Sequence, residues 1–196
     1  MFEKAYLKIK EQDSDICFWG FYKMDGSVKD VDSSVCGVPL NIDDYFNMYT
    51  IKDNEILSAT NPAPWNKLFK MSFIKKNHIF FPKLSIGEDV YFTFLAFILA
   101  KSITFIPDGL YFYRIREQSS MHQAYRDPFS FCESLLMLKQ KIIELRFEGI
   151  LRKTYENLVC SVSNACFANI KHVSSNEEYL SVISEYNSKY KDKLKL

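Results

Sequence analysis

A chain of 196 residues, 47% hydrophobic and 16% aromatic, holds enough apolar material for one sizeable core and a helical appendage, which excludes general disorder. Its 25 basic and 24 acidic side chains leave a net charge of +1, so there is no global field to draw in nucleic acid and any charged partner has to be met locally.

The opening "MFEKAYLKIKEQ" sets Phe2, Tyr6 and Ile9 at helical spacing among charged residues and predicts a short amphipathic helix. It has no apolar core of signal-peptide type, and the most apolar run, residues 90–100, falls well short of the roughly 20 residues of a membrane span, so a cytoplasmic location is expected. Next, "SDICFWGFYKMDGSVKDV" is an aromatic and β-branched run broken by the turn signal Asp25-Gly26; it reads as a hairpin or as a strand with a return.

Asn41 is a candidate N-cap with Asp43 and Asp44 in the turn after it, and the loop "SATNPAPW" is stiffened by two prolines. "WNKLFKMSFIKKN" predicts one or two turns of helix. "EDVYFTFLAFILAKS" predicts a helix buried on most faces, with Glu88 and Asp89 in its first turn, where the helix dipole favours carboxylates. "ITFIP" and "GLYFYRI" read as two short strands. From Asp127 onward the pattern changes to long helical periods, three amphipathic helices parted at Gly149 and near "VSSN". The division expected is an α/β body over 1–126 and a helical extension over 127–196. Cys17, Cys36, Cys132, Cys160 and Cys166 form no CxxC pair, which suits reduced, mostly buried thiols rather than a metal centre.

Two adjacent carboxylates ahead of an apolar helix repel each other and bury poorly, so Glu88 and Asp89 call for a reason. The ordered set "PAPWNKLFK", "FP" followed by "GEDVYF", then "IPDGLYFYRIREQSS" resembles the second half of the catalytic domain of family 2 glycosyltransferases, the inverting GT-A enzymes of bacterial surface polysaccharide synthesis. The resemblance covers roughly residues 1–125 and implies a partial GT-A, Rossmann-like α/β sheet followed by the helical extension.

What it implies for the pair is that Asp89 is the general base. It takes the proton of an acceptor hydroxyl attacking the anomeric carbon of a nucleotide-activated sugar, while Glu88 orients the acceptor or steadies the loop. The plainer reading is a pair of first-turn carboxylates that only offset the helix dipole. Trp65, Asn66 and Lys67 match the family's acceptor-side segment, the indole offering a face to a sugar ring; a core tryptophan with a capping asparagine is the alternative. Tyr113, Arg114, Arg116, Ser119 and Ser120 match a tyrosine-arginine segment followed by serine, and guanidinium forks suit a diphosphate; a solvated strand end is the alternative. His122, a metal ligand in some relatives, reads here as a surface histidine.

"DSD" at residues 13–15 spells the Asp-x-Asp of GT-A metal sites but follows a polar helix end rather than a hydrophobic strand, so it reads as helix end and strand entry. The nucleotide-gripping half with the true Asp-x-Asp would precede Met1. The expectation is therefore a fragment or one piece of a split transferase, with no metal ligands of its own. The complete enzyme is expected to use a divalent cation, Mn or Mg, a nucleotide-sugar donor and a saccharide or lipid-linked acceptor. A separate N-terminal half, self-association and an anionic membrane surface are the other expected partners. The competing reading is a non-catalytic remnant serving as an interaction module.

Overall fold

The computed structural model of the chain describes residues 1–25, 34–37, 45–46, 57–115 and 127–196. The expected cap at Asn41 lies outside them, as do Arg116, Ser119, Ser120 and His122. The chain divides into two compact units, Met1–Phe80 with Thr93–Arg116, and Phe81–Phe92 with Glu117–Leu196.

The first unit is built on strand β1, Ile16–Asp25. Ile16, Cys17, Phe18 and Trp19 are each fully buried, as a strand covered on both faces has to be. β1 pairs in parallel with β4, Ile103–Ile115, and antiparallel with β3, Lys67–Phe69; β2, Tyr45–Phe46, adds to the far side of β4, giving the order β2-β4-β1-β3. Helix α1, Phe2–Gln12, covers one face through Ala5 and Ile9, which pack with Cys17, Trp19 and Ile106. On the other face Phe18 meets Phe97 of helix α3, Glu88–Leu99, with ring centroids 5.7 Å apart, and Phe105 at 5.5 Å. Each such buried ring contributes about 1.5–3 kcal/mol.

Two elements differ from the sequence expectation. The buried line of α1 is Ala5–Ile9, whereas Phe2 and Tyr6 are 62% and 55% exposed; the small Ala5 lets the helix lie close to the sheet and turns the larger rings outward. "ITFIP" and "GLYFYRI" form the single strand β4, bulged where Trp19 pairs with Ile106 and Gly20 with Gly109. The bulge takes up Pro107, which has no N–H to give to a ladder. Glycine is required at its exit because a Cβ on Gly109 would lie 2.2 Å from the Tyr22 ring. The one or two turns of helix expected within "WNKLFKMSFIKKN" are α2, Met71–Lys76, and ahead of it residues 67–69 pair with β1 after a 3-10 turn at Pro64–Asn66.

The return expected after β1 is present as the antiparallel bridge of Phe21 with Cys36. Asp13 is the left-handed C-cap of α1 and Asp15 leads into β1, the helix end and strand entry read from the sequence.

The second unit carries α4, Ser130–Glu144, α5, Glu148–Val173, and α6, Asn176–Lys189. Phe131, Leu135, Leu138 and Ile142 form the buried stripe of α4. The Tyr155 hydroxyl on α5 donates to the Leu135 carbonyl at 3.0 Å. The first break falls at residues 145–147, with Gly149 inside the first turn of α5, because Arg146 takes a left-handed backbone. Ser175 starts α6 with a capping box to Glu178. Beyond α6, Tyr190 stacks on Phe129 at 5.0 Å and Leu194 is buried, so the lysine-rich end folds back onto this unit. No helix among the described residues is long and apolar enough to cross a membrane.

Candidate functional site

The acidic pair sits at the start of α3, and the surrounding chemistry explains how a helix can begin there. Gly87 has φ 84°, and a Cβ at this position would lie 3.1 Å from the Phe131 Cα, so conformation and space both demand glycine. The Ser134 hydroxyl donates to the Gly87 carbonyl at 2.6 Å and accepts from the Tyr91 N–H at 3.1 Å. One turn earlier on α4, Ser130 Oγ accepts from the Ile86 N–H at 3.2 Å, and Ser85 bonds to the Asp127 carboxylate. Ser130 and Ser134 are buried.

The first turn of a helix leaves N–H groups without i−4 partners; here Val90 donates to the Gly87 carbonyl at 3.0 Å, and the next N–H, that of Tyr91, goes to a side chain of another helix. Glu88 and Asp89 occupy that turn and are half-buried. The Cys166 thiol on α5 is pushed up to about 12, by burial first and then by the negative charge of Asp89. A carboxylate held at a helix N-terminus has the dipole in favour of its ionised form.

Trp65, Asn66 and Lys67 belong to the first unit. The Asn66 Nδ2 donates to the Trp19 carbonyl at 2.8 Å, anchoring the 3-10 turn to β1. The Lys67 ammonium is buried among oxygens: it donates to the Asn61 carbonyl at 2.9 Å, the Ala63 carbonyl at 2.7 Å and Asn66 Oδ1 at 2.8 Å. The Thr93 hydroxyl donates to the Pro62 carbonyl at 2.6 Å. Lys67 therefore organises the loop from within, and Asn66 is the link that joins lysine to strand.

Trp65 stacks on the rings of Tyr111 and Tyr113, at 4.7 and 5.1 Å, and receives Phe21 edge-on at 4.8 Å. Tyr113 is thus brought together with Trp65. Arg114 is not: side chains alternate along a strand, and Phe112 of the same parity stacks on Tyr22 at 5.5 Å, so exposed Arg114 belongs to the opposite face of the sheet.

The buried pair Ser130 and Ser134, together with Tyr111 and Phe21, went unread in the sequence. Two serines four residues apart on an otherwise apolar helix stripe are the signal that could have found the first two.

For a divalent cation the described residues offer no cluster of three or more His, Cys, Asp or Glu. Asp13 is ion-paired with Lys70 at 3.1 Å, and Asp15 Oδ2 accepts from the Lys101 N–H at 2.9 Å. These aspartates do not fit a metal centre.

No family model matches the chain. Over 101 residues it is 30% identical to the poly(ribitol-phosphate) beta-N-acetylglucosaminyltransferase TarS of Staphylococcus aureus; the match covers 50% of this chain and 17% of that protein. Over 111 residues it is 31% identical to the putative glycosyltransferase EpsH of Bacillus subtilis, covering 54% of this chain and 32% of that protein. The chain thus spans less than a third of the length of either relative. In three dimensions it is similar to S. aureus TarS 1-349 in complex with UDP-GlcNAc, with TM-score 0.62 and 21% identity over 98% of this chain and 54% of that one. A second structure of TarS 1-349 gives a TM-score of 0.56 at 19% identity. The resemblance read from the sequence holds: the relatives are glycosyltransferases, and the α/β fold is that of TarS.

Proposed function

We propose that this chain is the acceptor-side part of an inverting glycosyltransferase that moves a sugar from a nucleotide-sugar donor to a hydroxyl of a cell-surface polysaccharide or lipid-linked acceptor. The observation that carries this reading is the start of α3: a carboxylate pair in a helix first turn fixed by Gly87, Ser130 and Ser134, in a chain similar to glycosyltransferases.

Asp89 accepts the acceptor's proton as the acceptor oxygen forms its bond to the anomeric carbon. The bond from that carbon to the diphosphate oxygen breaks on the opposite face, and the configuration inverts. Glu88 orients the acceptor. Trp65 and Tyr113, whose faces are already occupied by each other, contribute ring edges and the phenol hydroxyl to sugar recognition. Arg114 and Arg116, with Ser119, are proposed for phosphate oxygens. Asn66 and Lys67 hold the Trp65 loop rather than the substrate.

A divalent cation, Mn or Mg, is proposed for the complete transferase, held by residues other than Asp13 and Asp15. Residues 1–126 form the transferase part in this reading and 127–196 the extension that supports α3, working at the cytoplasmic side of the membrane. The test is incubation with labelled nucleotide sugars and cell-surface polymer, the chain being supplied with a nucleotide-binding half, and assignment of the product's anomeric configuration by NMR. An inverted glycoside supports the proposal; a retained one refutes it.

A further inference from the structure

At the end of the sheet where β1 and β4 begin, a cavity of about 220 Å³ is lined by Lys70, Lys76 and Lys101, with Ser72 and Asn77 beside them. Its apolar wall is Phe73 and Leu99. One carboxylate, Asp15, also lines it, but that residue is committed to the fold. Its side chain accepts from the Lys101 N–H at 2.9 Å, its N–H donates to the Ser102 carbonyl at 2.9 Å, and its carbonyl accepts from the Lys70 N–H at 2.9 Å. Lys70 pairs with Asp13, whereas Lys76 and Lys101 are exposed and make no ion pair among the described residues.

Lys70 is balanced by Asp13, which leaves Lys76 and Lys101 against the single carboxylate of Asp15 in one small, partly apolar basin; the basin carries a net positive charge, which favours an anion. We infer that this basin binds the phosphate group of a phosphorylated sugar or polyol. The Lys76 and Lys101 ammonium groups take the phosphate oxygens. The Ser72 hydroxyl and the Asn77 amide oxygen, whose amide nitrogen already donates to Phe73, take the ligand's hydroxyls. Phe73 and Leu99 receive its C–H face.

Within the first unit, Ile103 and Arg114 of β4 lie opposite Ile16 and Met24 of β1, so at about 3.3 Å per residue roughly 25 Å of sheet separate the Lys101 end of β4 from Arg114. The basin is therefore distinct from the strand end that carries Arg114.

The test is an amide NMR titration of the full chain at low salt with glycerol 3-phosphate, inorganic phosphate and neutral glycerol. The expected result is saturable shifts confined to residues 70–77 and 101–102, tighter for glycerol 3-phosphate than for inorganic phosphate, absent with glycerol and weakened by added salt. The double variant Lys76→Ala, Lys101→Ala, which alters two exposed side chains, should bind at least tenfold more weakly with an unchanged melting temperature. Shifts that are absent, that appear equally with glycerol or that survive the double variant would overturn the inference. Binding to phosphatidylglycerol vesicles lost in the double variant, without saturable binding of the soluble ester, would also overturn it and assign the basin to a membrane surface.

Discussion

The Ser134 hydroxyl of α4 holds the Gly87 carbonyl at 2.6 Å, and through that one contact, with the return bond from Tyr91, a helix begins where two carboxylates have to stand. Truncation to Ser134→Ala takes the acceptor from the Tyr91 N–H and one of two donors from the Gly87 carbonyl, which keeps the Val90 N–H at 3.0 Å, at a cost of about 1–3 kcal/mol. Chemical denaturation should show the loss, and hydrogen exchange should show it concentrated at residues 86–91. Uniform exchange across the chain would mean that the serine supports the core in general rather than the start of α3.

The loop ahead of β3 gives a second test. Lys67→Met removes the donor shared by the Asn61 carbonyl, the Ala63 carbonyl and Asn66 Oδ1 and should destabilise by about 2–4 kcal/mol, with faster proteolysis between residues 57 and 66. A lysine whose main duty was substrate contact would leave stability where it was.

How much of this was legible in the sequence follows from the range of each interaction. The start of α3, the three tail helices and the role of "DSD" rest on local periodicity and capping, and these were read from the residues alone. The misreadings were long-range. "ITFIP" and "GLYFYRI" look like two strands and run on as one because β1 offers a parallel partner on both sides of the bulge. Tyr6 looks like core, yet the fold buries Ala5 instead, since distance to the sheet decides which residue fits. The resemblance puts Lys67 on the acceptor side, and only the folded loop shows that its ammonium donates to the Ala63 and Asn61 carbonyls, four and six residues behind it, and to the Asn66 side chain. The helical support for the acidic pair, Ser130 and Ser134, lies more than forty residues downstream of Gly87.

Alkaline pH should expose the buried thiols. Burial pushes Cys17 and Cys166 up from the ordinary 9.0 to about 12 in the folded chain. The unfolded chain therefore releases these protons first, so the stabilisation is intact below about pH 9 and is lost as pH rises toward 12. Melting temperatures from pH 8 to 11 should fall less steeply in Cys17→Ala than in the parent. Identical slopes would show that the thiol does not titrate on unfolding in that window.

The lysine-rich end is predicted to be a packed element. Leu194 is 1% exposed, and the Lys139 ammonium donates to the Lys193 carbonyl at 2.9 Å. Leu194→Ala should cost about 2–5 kcal/mol. Salt-sensitive flotation with anionic liposomes, lost on deleting residues 176–196, would contradict packing as the main duty of this end.

The central claim, that Asp89 is the base of a glycosyl transfer, is tested most directly by comparing Asp89→Asn with Glu88→Gln in one transfer assay, with the chain supplied with a nucleotide-binding half and melting followed alongside. The amide keeps the carboxylate's shape but accepts no proton, and loss of a general base costs a factor of about 100 to 10,000. The account predicts that Asp89→Asn loses transfer at unchanged melting temperature and donor binding, while Glu88→Gln shows a milder defect in acceptor affinity. Transfer by Asp89→Asn at the parental rate would contradict it and leave Asp89 as a carboxylate that does no more than start a helix.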